Sequence, residues 1–282
     1  MTEIVVGVDG SPHSLDALRW AQREAALRRG RLVALFAWGF VPPGHAGGGH
    51  TFDAGYGPEE ADRLLAASID AALGDGAGVV RRTVCEPPAR ALLDAAAGTD
   101  LLVVGARGVG GFRGLLLGSV SGQCLHHAPV PLAIVRSPGG GAIPKERGRI
   151  LVGADASASA RRALDWAVAE AARRGSALDV VRAWDIAYPA VAPAGGYPVE
   201  WAALEEDAQD LVDKLLADRG LAGRATGRAV QGSAAGTLVR AAAGADLVVM
   251  GTRGHGGFAG LLLGSVAHHL AHHAPCTVVV VP

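Results

Sequence analysis

The sequence predicts an α/β protein made of two tandem Rossmann-like domains, each a five-stranded parallel sheet with helices on both faces. Three observations carry this. Short continuous runs of Val, Leu and Ile alternate with stretches of helical spacing, the pattern of parallel strands buried on both sides. The alternation occurs twice at one offset, because Asp9 and Asp155, Trp20 and Trp166, Trp38 and Trp184, and Gly118 and Gly264 all stand 146 residues apart. Finally, the segment GARGVGGFRGLLLGS at Gly105–Ser119 returns as GTRGHGGFAGLLLGS at Gly251–Ser265, with twelve of fifteen positions identical.

A repeat of this length far exceeds a solenoid unit, so each copy is expected to fold as its own domain around its own core. The domains are read as residues 1–137 and 148–282, joined by Ser137–Gly148, whose composition is that of a linker. In the first copy the strands are expected near 4–8, 32–38, 79–84, 101–105 and 131–135. The helix after the first strand runs from Ser14 to Gly30. It gathers Leu15, Leu18, Ala21, Ala25 and Leu27 largely on one face, and Gly30 suits the left-handed stop at its end. Gly39–Pro58 is irregular and rich in Gly and Pro, which reads as a lid over the sheet edge. The second copy repeats the scheme, with strands near 150–154, 177–184, 225–230, 246–251 and 276–281, a helix from Ala160 to Gly175, and a second lid at Asp185–Pro198.

Composition narrows the function classes. The chain has 282 residues, half of them apolar, and a formal net charge of -1; its 26 basic residues come as scattered pairs rather than a stripe, so nucleic acid is not an expected partner. No apolar run approaches the roughly 20 residues that cross a bilayer, and Met1-Thr2-Glu3 leads straight into a strand without the flanks of a signal peptide. Cys85, Cys124 and Cys276 lie far apart and leave one unmatched, as expected of free buried thiols in the cytoplasm.

The repeated loop has the spacing G-x2-G-x9-G-S: Gly105, Gly108 and Gly118-Ser119, then Gly251, Gly254 and Gly264-Ser265. Glycines let backbone N–H groups close on an anion, a helix starting at Gly118 or Gly264 adds its free N–H groups and dipole, and Ser119 and Ser265 add a hydroxyl donor. This is the chemistry of a phosphate cradle. Just past the first strand of each half lie V-D-G-S at Val8–Ser11 and A-D-A-S at Ala154–Ser157. Asp9 and Asp155 read either as turn residues or, beside a cradle at a switch point of strand order, as partners of a ribose hydroxyl or of Mg2+.

With these residues the chain resembles the universal stress protein family in its tandem, two-domain form. The resemblance implies ATP binding in each half, through Asp9, Gly105, Gly108, Gly118 and Ser119 and through Asp155, Gly251, Gly254, Gly264 and Ser265. It also implies backbone contacts to the adenine near Ala37 and Ala183, Mg2+ at Asp9 and Asp155, and a homodimer that works as a stress or growth regulator with an unidentified protein partner. The halves differ at Gly10 against Ala156, at Val109 against His255 and in their lids, so unequal affinities are expected. Arg107 and Arg253 either face phosphates or stay solvated.

No G-x4-G-K-[ST] motif and no Ser/His/Asp or Cys/His constellation occupies the expected crevice, so the chain does not read as an enzyme beyond slow ATP hydrolysis. His268-His269 and His272-His273 form i, i+4 pairs. They read as caps or packing groups at a helix end, with His126-His127, in preference to a metal site. The loop residues His45 and His50 read as solvated. The rival readings are a slow ATPase using Asp9 or Asp155, and an interaction module whose halves pair through Leu132–Val135 and Thr277–Val281.

Overall fold

The structure, a computed structural model, describes residues 1–38, 57–74, 78–109, 116–136, 147–185, 201–254 and 262–282. Both expected lids beyond their ends, most of the linker, and Val109's counterpart His255 lie outside the described residues, as do His45 and His50. The first half runs β1 (Glu3–Gly7), α1 (Pro12–Arg28), β2 (Arg31–Trp38), α2 (Pro58–Leu73), β3 (Val79–Cys85), α3 (Pro88–Ala96), β4 (Leu101–Gly105), α4 (Ser119–His127) and β5 (Leu132–Val135). The second runs β6 (Arg149–Gly153), α5 (Ala158–Arg174), β7 (Ala177–Trp184), α6 (Trp201–Ala217), β8 (Thr226–Gln231), α7 (Ala234–Ala242), β9 (Leu247–Gly251), α8 (Ser265–His273) and β10 (Thr277–Val281).

Within each half the strands are parallel, in the order β3-β2-β1-β4-β5 and β8-β7-β6-β9-β10. Strand order reverses between β1 and β4, and between β6 and β9. A crevice therefore opens at the carboxyl ends of those strands.

The halves join into one ten-stranded sheet, because β5 pairs antiparallel with β10. Ala133 stands opposite Val279, its own counterpart at the 146-residue offset, so a pseudo-twofold axis passes through that pair. This corrects the expectation of one core per half. One apolar cluster packs α1, α2, α5 and α6 on one face of the sheet and takes Ala133, Val135, Val279 and Val281 from the seam. The other packs α3, α4, α7 and α8 on the opposite face and takes Leu132, Ile134, Val278 and Val280. Each buried Val, Leu or Ile contributes about 1.5–3 kcal/mol of transfer free energy, so these seam residues bind the halves strongly.

Charge is buried on the same axis. Glu24 of α1 and Glu170 of α5 are fully buried, and each meets the arginine one turn along its own helix and the arginine of the other. Arg28 Nε lies 3.1 Å from Glu24 and its Nη2 2.6 Å from Glu170; Arg174 Nε lies 2.6 Å from Glu170, and its Nη2 reaches Glu24. Each guanidinium also covers a tryptophan of the other helix, Arg28 over Trp166 at 5.3 Å and Arg174 over Trp20 at 5.7 Å. Burial brings the Arg174 pKa down to about 10 while Asp246 opposes the shift, so the group stays charged at neutral pH.

Local signals mostly hold at the helix ends. The Ser11 and Ser157 hydroxyls accept from the N–H of Ser14 and Ala160, both at 3.2 Å, and so cap α1 and α5. The stop of α1 differs from expectation, since Arg29, not Gly30, takes the left-handed conformation at φ 49°. Gly175 holds the matching place in α5 at φ 63°. Gly30 is small for another reason, because a Cβ there would stand 2.8 Å from the Thr2 carbonyl oxygen. Leu27 is exposed rather than on the core face. Cys124 and Cys276 are buried, their thiols pushed up to about 12 by burial, whereas Cys85 is exposed at the end of β3.

Two outcomes follow in urea denaturation. Glu24→Ala leaves two buried guanidiniums short of a carboxylate and should lower the unfolding free energy by about 3–5 kcal/mol; a loss below about 1 kcal/mol would remove the network from the list of forces that join the halves. Arg29→Gly relieves a left-handed non-glycine residue and should raise stability by about 1 kcal/mol, with no gain meaning that the cap is unstrained.

Candidate functional site

At the β1/β4 crevice the loops after the two strands are tied by one carboxylate. Asp9 Oδ1 accepts from the Ser11 N–H at 3.0 Å, and Oδ2 accepts from the Val109 N–H at 2.8 Å. A side chain at Gly108 would collide with that same oxygen. The second half repeats the geometry: Asp155 Oδ1 accepts from the Ser157 N–H at 2.8 Å, and a Cβ on Gly254 would stand 2.5 Å from Asp155 Oδ2. The Ser11 hydroxyl donates to the Arg107 carbonyl at 3.4 Å, and the Ser157 hydroxyl to that of Arg253 at 3.2 Å. Sequence spacing thus brings each aspartate against the glycine loop, as expected from strand order.

The glycines divide into two kinds. Gly105 and Gly251 end their strands against the start of the first helix, where a Cβ would stand 2.7 Å from the His13 carbonyl carbon or 2.6 Å from that of Ser159. Their smallness is needed by the fold. Gly118 and Gly264 have φ -77° and meet their nearest neighbours at 3.4 Å and 3.3 Å, so neither backbone strain nor a severe clash demands glycine there.

These two residues are the N-caps of α4 and α8, and neither helix has a side-chain cap. The first intrahelical bonds are Gly122 N–H to Gly118 O at 2.9 Å and His268 N–H to Gly264 O at 3.0 Å. The N–H groups of Ser119 to Ser121, and of Ser265 to Ala267, come before those bonds and have no carbonyl one turn back. Ser119 and Ser265 open the two helices.

In the second half this arrangement lines a cleft of about 320 Å³. All six residues expected there, Asp155, Ala183, Gly251, Gly254, Gly264 and Ser265, lie on its wall. Its wall combines polar groups, Asp155, Thr252 and the start of α8, with apolar ones, Val181, Leu238 and Met250. In the first half Asp9, Gly108 and Gly118 meet directly, because a Cβ on Gly118 would stand 3.5 Å from the Gly108 nitrogen. Ala37 lies near the carboxyl end of β2, opposite Val84.

Sequence reasoning passed over His13, which lies in the first turn of α1 and accepts from Arg107 Nε at 3.2 Å. Burial first, then Arg107, lowers its pKa. Leu238 and Met250 were also passed over, because periodicity marks them only as core. Arg253 lines the second cleft.

At α8 the ring pairs His268/His272 and His269/His273 stand 4.4 and 4.3 Å apart, and His126 of α4 lies 6.3 Å from His268. The carbonyls of Ala271 and His272 are taken by Arg136, at 2.8 Å for His272, so an arginine from the other half caps this helix end where histidines were expected to do so. Among the described residues no group of three or more His, Cys, Asp or Glu is arranged to hold a metal ion.

The model of the Universal stress protein family matches residues 1–136 and again residues 146–282. The chain belongs to the universal stress protein family. A universal stress protein of Mycobacterium tuberculosis strain H37Rv is 33% identical over 297 residues, spanning 98% of this chain and 95% of that protein. One from Mycolicibacterium smegmatis is 33% identical over 293 residues, spanning 99% and 96%. Among solved structures, a universal stress protein of Archaeoglobus fulgidus aligns with a TM-score of 0.65 at 18% identity, covering 99% of this chain and 97% of that one. One from Pseudomonas aeruginosa gives 0.69 at 18%, covering 100% and 93%. The fold of a tandem universal stress protein is thereby shared along the whole chain.

The two kinds of glycine are separable by stability. Gly105→Ala drives a methyl into backbone atoms and should cost about 2–3 kcal/mol, whereas Gly118→Ala should cost no more than about 1 kcal/mol, the scale of an N-cap change. Equal losses in thermal or urea unfolding would mean that Gly118 too is held by packing.

Proposed function

We propose that each half binds one adenine nucleotide, ATP with Mg2+, and that the protein acts as a nucleotide-dependent stress or growth regulator rather than as an enzyme. The observation that carries this reading is the uncapped start of α4 and α8, set against a glycine that neither backbone strain nor a severe clash requires, at the switch point of a parallel sheet. Two rows of free N–H groups face the place where an anion gains most from the helix dipole.

Each residue has a part. The first-turn N–H groups after Gly118 and Gly264, with the Ser119 and Ser265 hydroxyls, donate to phosphate oxygens. In the second half the apolar wall of Val181, Ala183, Leu238 and Met250 takes the flat base; Ala37 stands at the matching strand end of the first. Each oxygen of Asp9 accepts one hydrogen bond among the described residues. The remaining lone pairs suit a ribose hydroxyl or a hydrated Mg2+, which would neutralise phosphate charge. Asp155 stands at the equivalent place in the second half, on the cleft wall.

Turnover has little to drive it. Among the described residues the cleft wall carries no lysine and no histidine to move a proton or stabilise a transferring phosphoryl group. Among the described residues no helix is long and apolar enough to cross a membrane. The reading includes a cytoplasmic location, a homodimer and a protein partner that recognises the nucleotide-bound form. Because β5 and β10 already pair within the chain, such a partner docks elsewhere than on those edges.

Calorimetric titration of nucleotide-free protein with ATP and Mg2+ should give two sites per chain. Gly118→Val should remove one and Gly264→Val the other. Absence of binding, or full stoichiometry in both variants, would overturn the reading; steady phosphate release lost in Asp9→Asn with Asp155→Asn would support the slow ATPase instead.

A further inference from the structure

The two cradles are not copies in charge. At the 146-residue offset Arg107 matches Arg253, but His13 matches Ser159 and Arg136 matches Pro282. Arg136 follows β5 and turns back on the first glycine loop, where Nη2 donates to the Leu116 carbonyl at 3.3 Å, two residues before Gly118. The same nitrogen donates across the seam to the carbonyls of His272, at 2.8 Å, and Ala271. These partners are neutral carbonyls. Arg136 has no carboxylate within ion-pair distance among the described residues, and its Nε is buried without a partner.

Arg107 stands near enough to matter, since burial first and Arg107 next lower the Arg136 pKa. Arg107 in turn donates to His13 Nε2 at 3.2 Å, which puts the imidazole proton on Nδ1, a buried atom without a partner. Among the described residues the first rim therefore holds two guanidiniums, Arg107 and Arg136, beside the cradle carboxylate Asp9, plus an unsatisfied imidazole N–H. In the second the serine hydroxyls are spent on the Arg253 carbonyl, and at the place equivalent to Arg136 the Pro282 carbonyl accepts from Arg162 Nε of α5 at 2.6 Å, so among the described residues no guanidinium is bonded to the second glycine loop. The C-terminal carbonyls of α8 offset part of the Arg136 charge, but only by the partial charge of a helix end.

We propose that the first cradle selects the more highly phosphorylated nucleotide, with Arg136, anchored by the second half, as the residue that sets this preference. The proposal rests on the nucleotide-binding reading and adds to it a difference between the sites. One additional cation near a growing phosphate chain, partly screened by water, changes affinity by about two- to fivefold for the triphosphate relative to the monophosphate. The second cradle, whose described loop residues hold no such guanidinium, discriminates less.

The test uses the full chain at pH 8, where histidines of ordinary pKa are neutral. Gly264→Val leaves the first cradle to be titrated and Gly118→Val leaves the second, each with ATP, ADP and AMP at low and high salt. The ratio of ATP to AMP affinity should be about two- to fivefold larger at the first cradle, and the excess should shrink at high salt. In the Gly264→Val background Arg136→Gln should erase the excess, while Arg136→Lys should keep most of it. Equal ratios at the two cradles, or an excess unchanged by Arg136→Gln, would overturn the proposal and leave the nucleotide reading intact. No binding of any nucleotide to either variant or to the unmodified chain would overturn both. Should the glycine variants fail to fold, resolving two classes of site in the unmodified chain answers the same question, with a single ATP-to-AMP ratio for both counting against it.

Discussion

The antiparallel pairing of β5 with β10 is the constraint on which the rest of the molecule depends. Each half-sheet has an edge at its fifth strand, and four consecutive buried apolar residues on that edge would otherwise lie open. Pairing the two edges through Ala133 and Val279 closes them against each other and makes both faces of the sheet continuous. The helices that flank the axis must then meet, and α1 and α5 meet through charge. Transfer of Glu24, Glu170, Arg28 and Arg174 out of water is costly, and their mutual contacts offset the cost only when all four are present. Such a quartet adds little net stability but penalises any shift of one half along the other, since a helix displaced by a turn would leave a buried carboxylate without its guanidinium.

The same geometry explains how the site divides its labour. Gly105 and Gly251 are small because the first helix of each half starts against them, and that contact holds the helix beside the crevice. Gly118 and Gly264 are under no such demand, so their smallness is left for whatever approaches the helix start. Asp9 fixes the first glycine loop by accepting the Val109 N–H, and Asp155 lies against Gly254 on the wall of the second cleft.

Much of this was legible in the sequence. Strand positions emerge within a residue or so because buried parallel strands are continuous apolar runs, and the 146-residue offset shows the duplication without any structural knowledge. The residues that gather around the second cleft were legible too, since strand order alone sets the loop after β6 opposite the loop after β9. Other features depend on contacts that periodicity does not encode. That Arg29 stops α1 follows from tertiary demand on Gly30, which must stay small beneath Thr2. The shared cores follow from the seam, and local pattern cannot tell whether an apolar edge meets its own repeat, another chain or nothing. The buried quartet had one available signal, a Glu and an Arg four apart in both copies on helices that otherwise turn apolar faces inward, but the same spacing is ordinary on exposed helices. Arg136 had no local signal, because its role depends on carbonyls contributed by α8.

The pseudo-twofold axis has a consequence for how such a molecule can change. In an assembly of two identical chains every substitution near the axis is made twice, and a residue that suits one side is imposed on the other. Here the equivalent positions belong to one polypeptide and are inherited separately. A guanidinium can therefore reach from residue 136 over the seam while its equivalent, residue 282, is a proline whose carbonyl accepts from Arg162 of its own half. Duplication within a chain retains the cohesion of a symmetric pair and releases the two crevices to specialise independently.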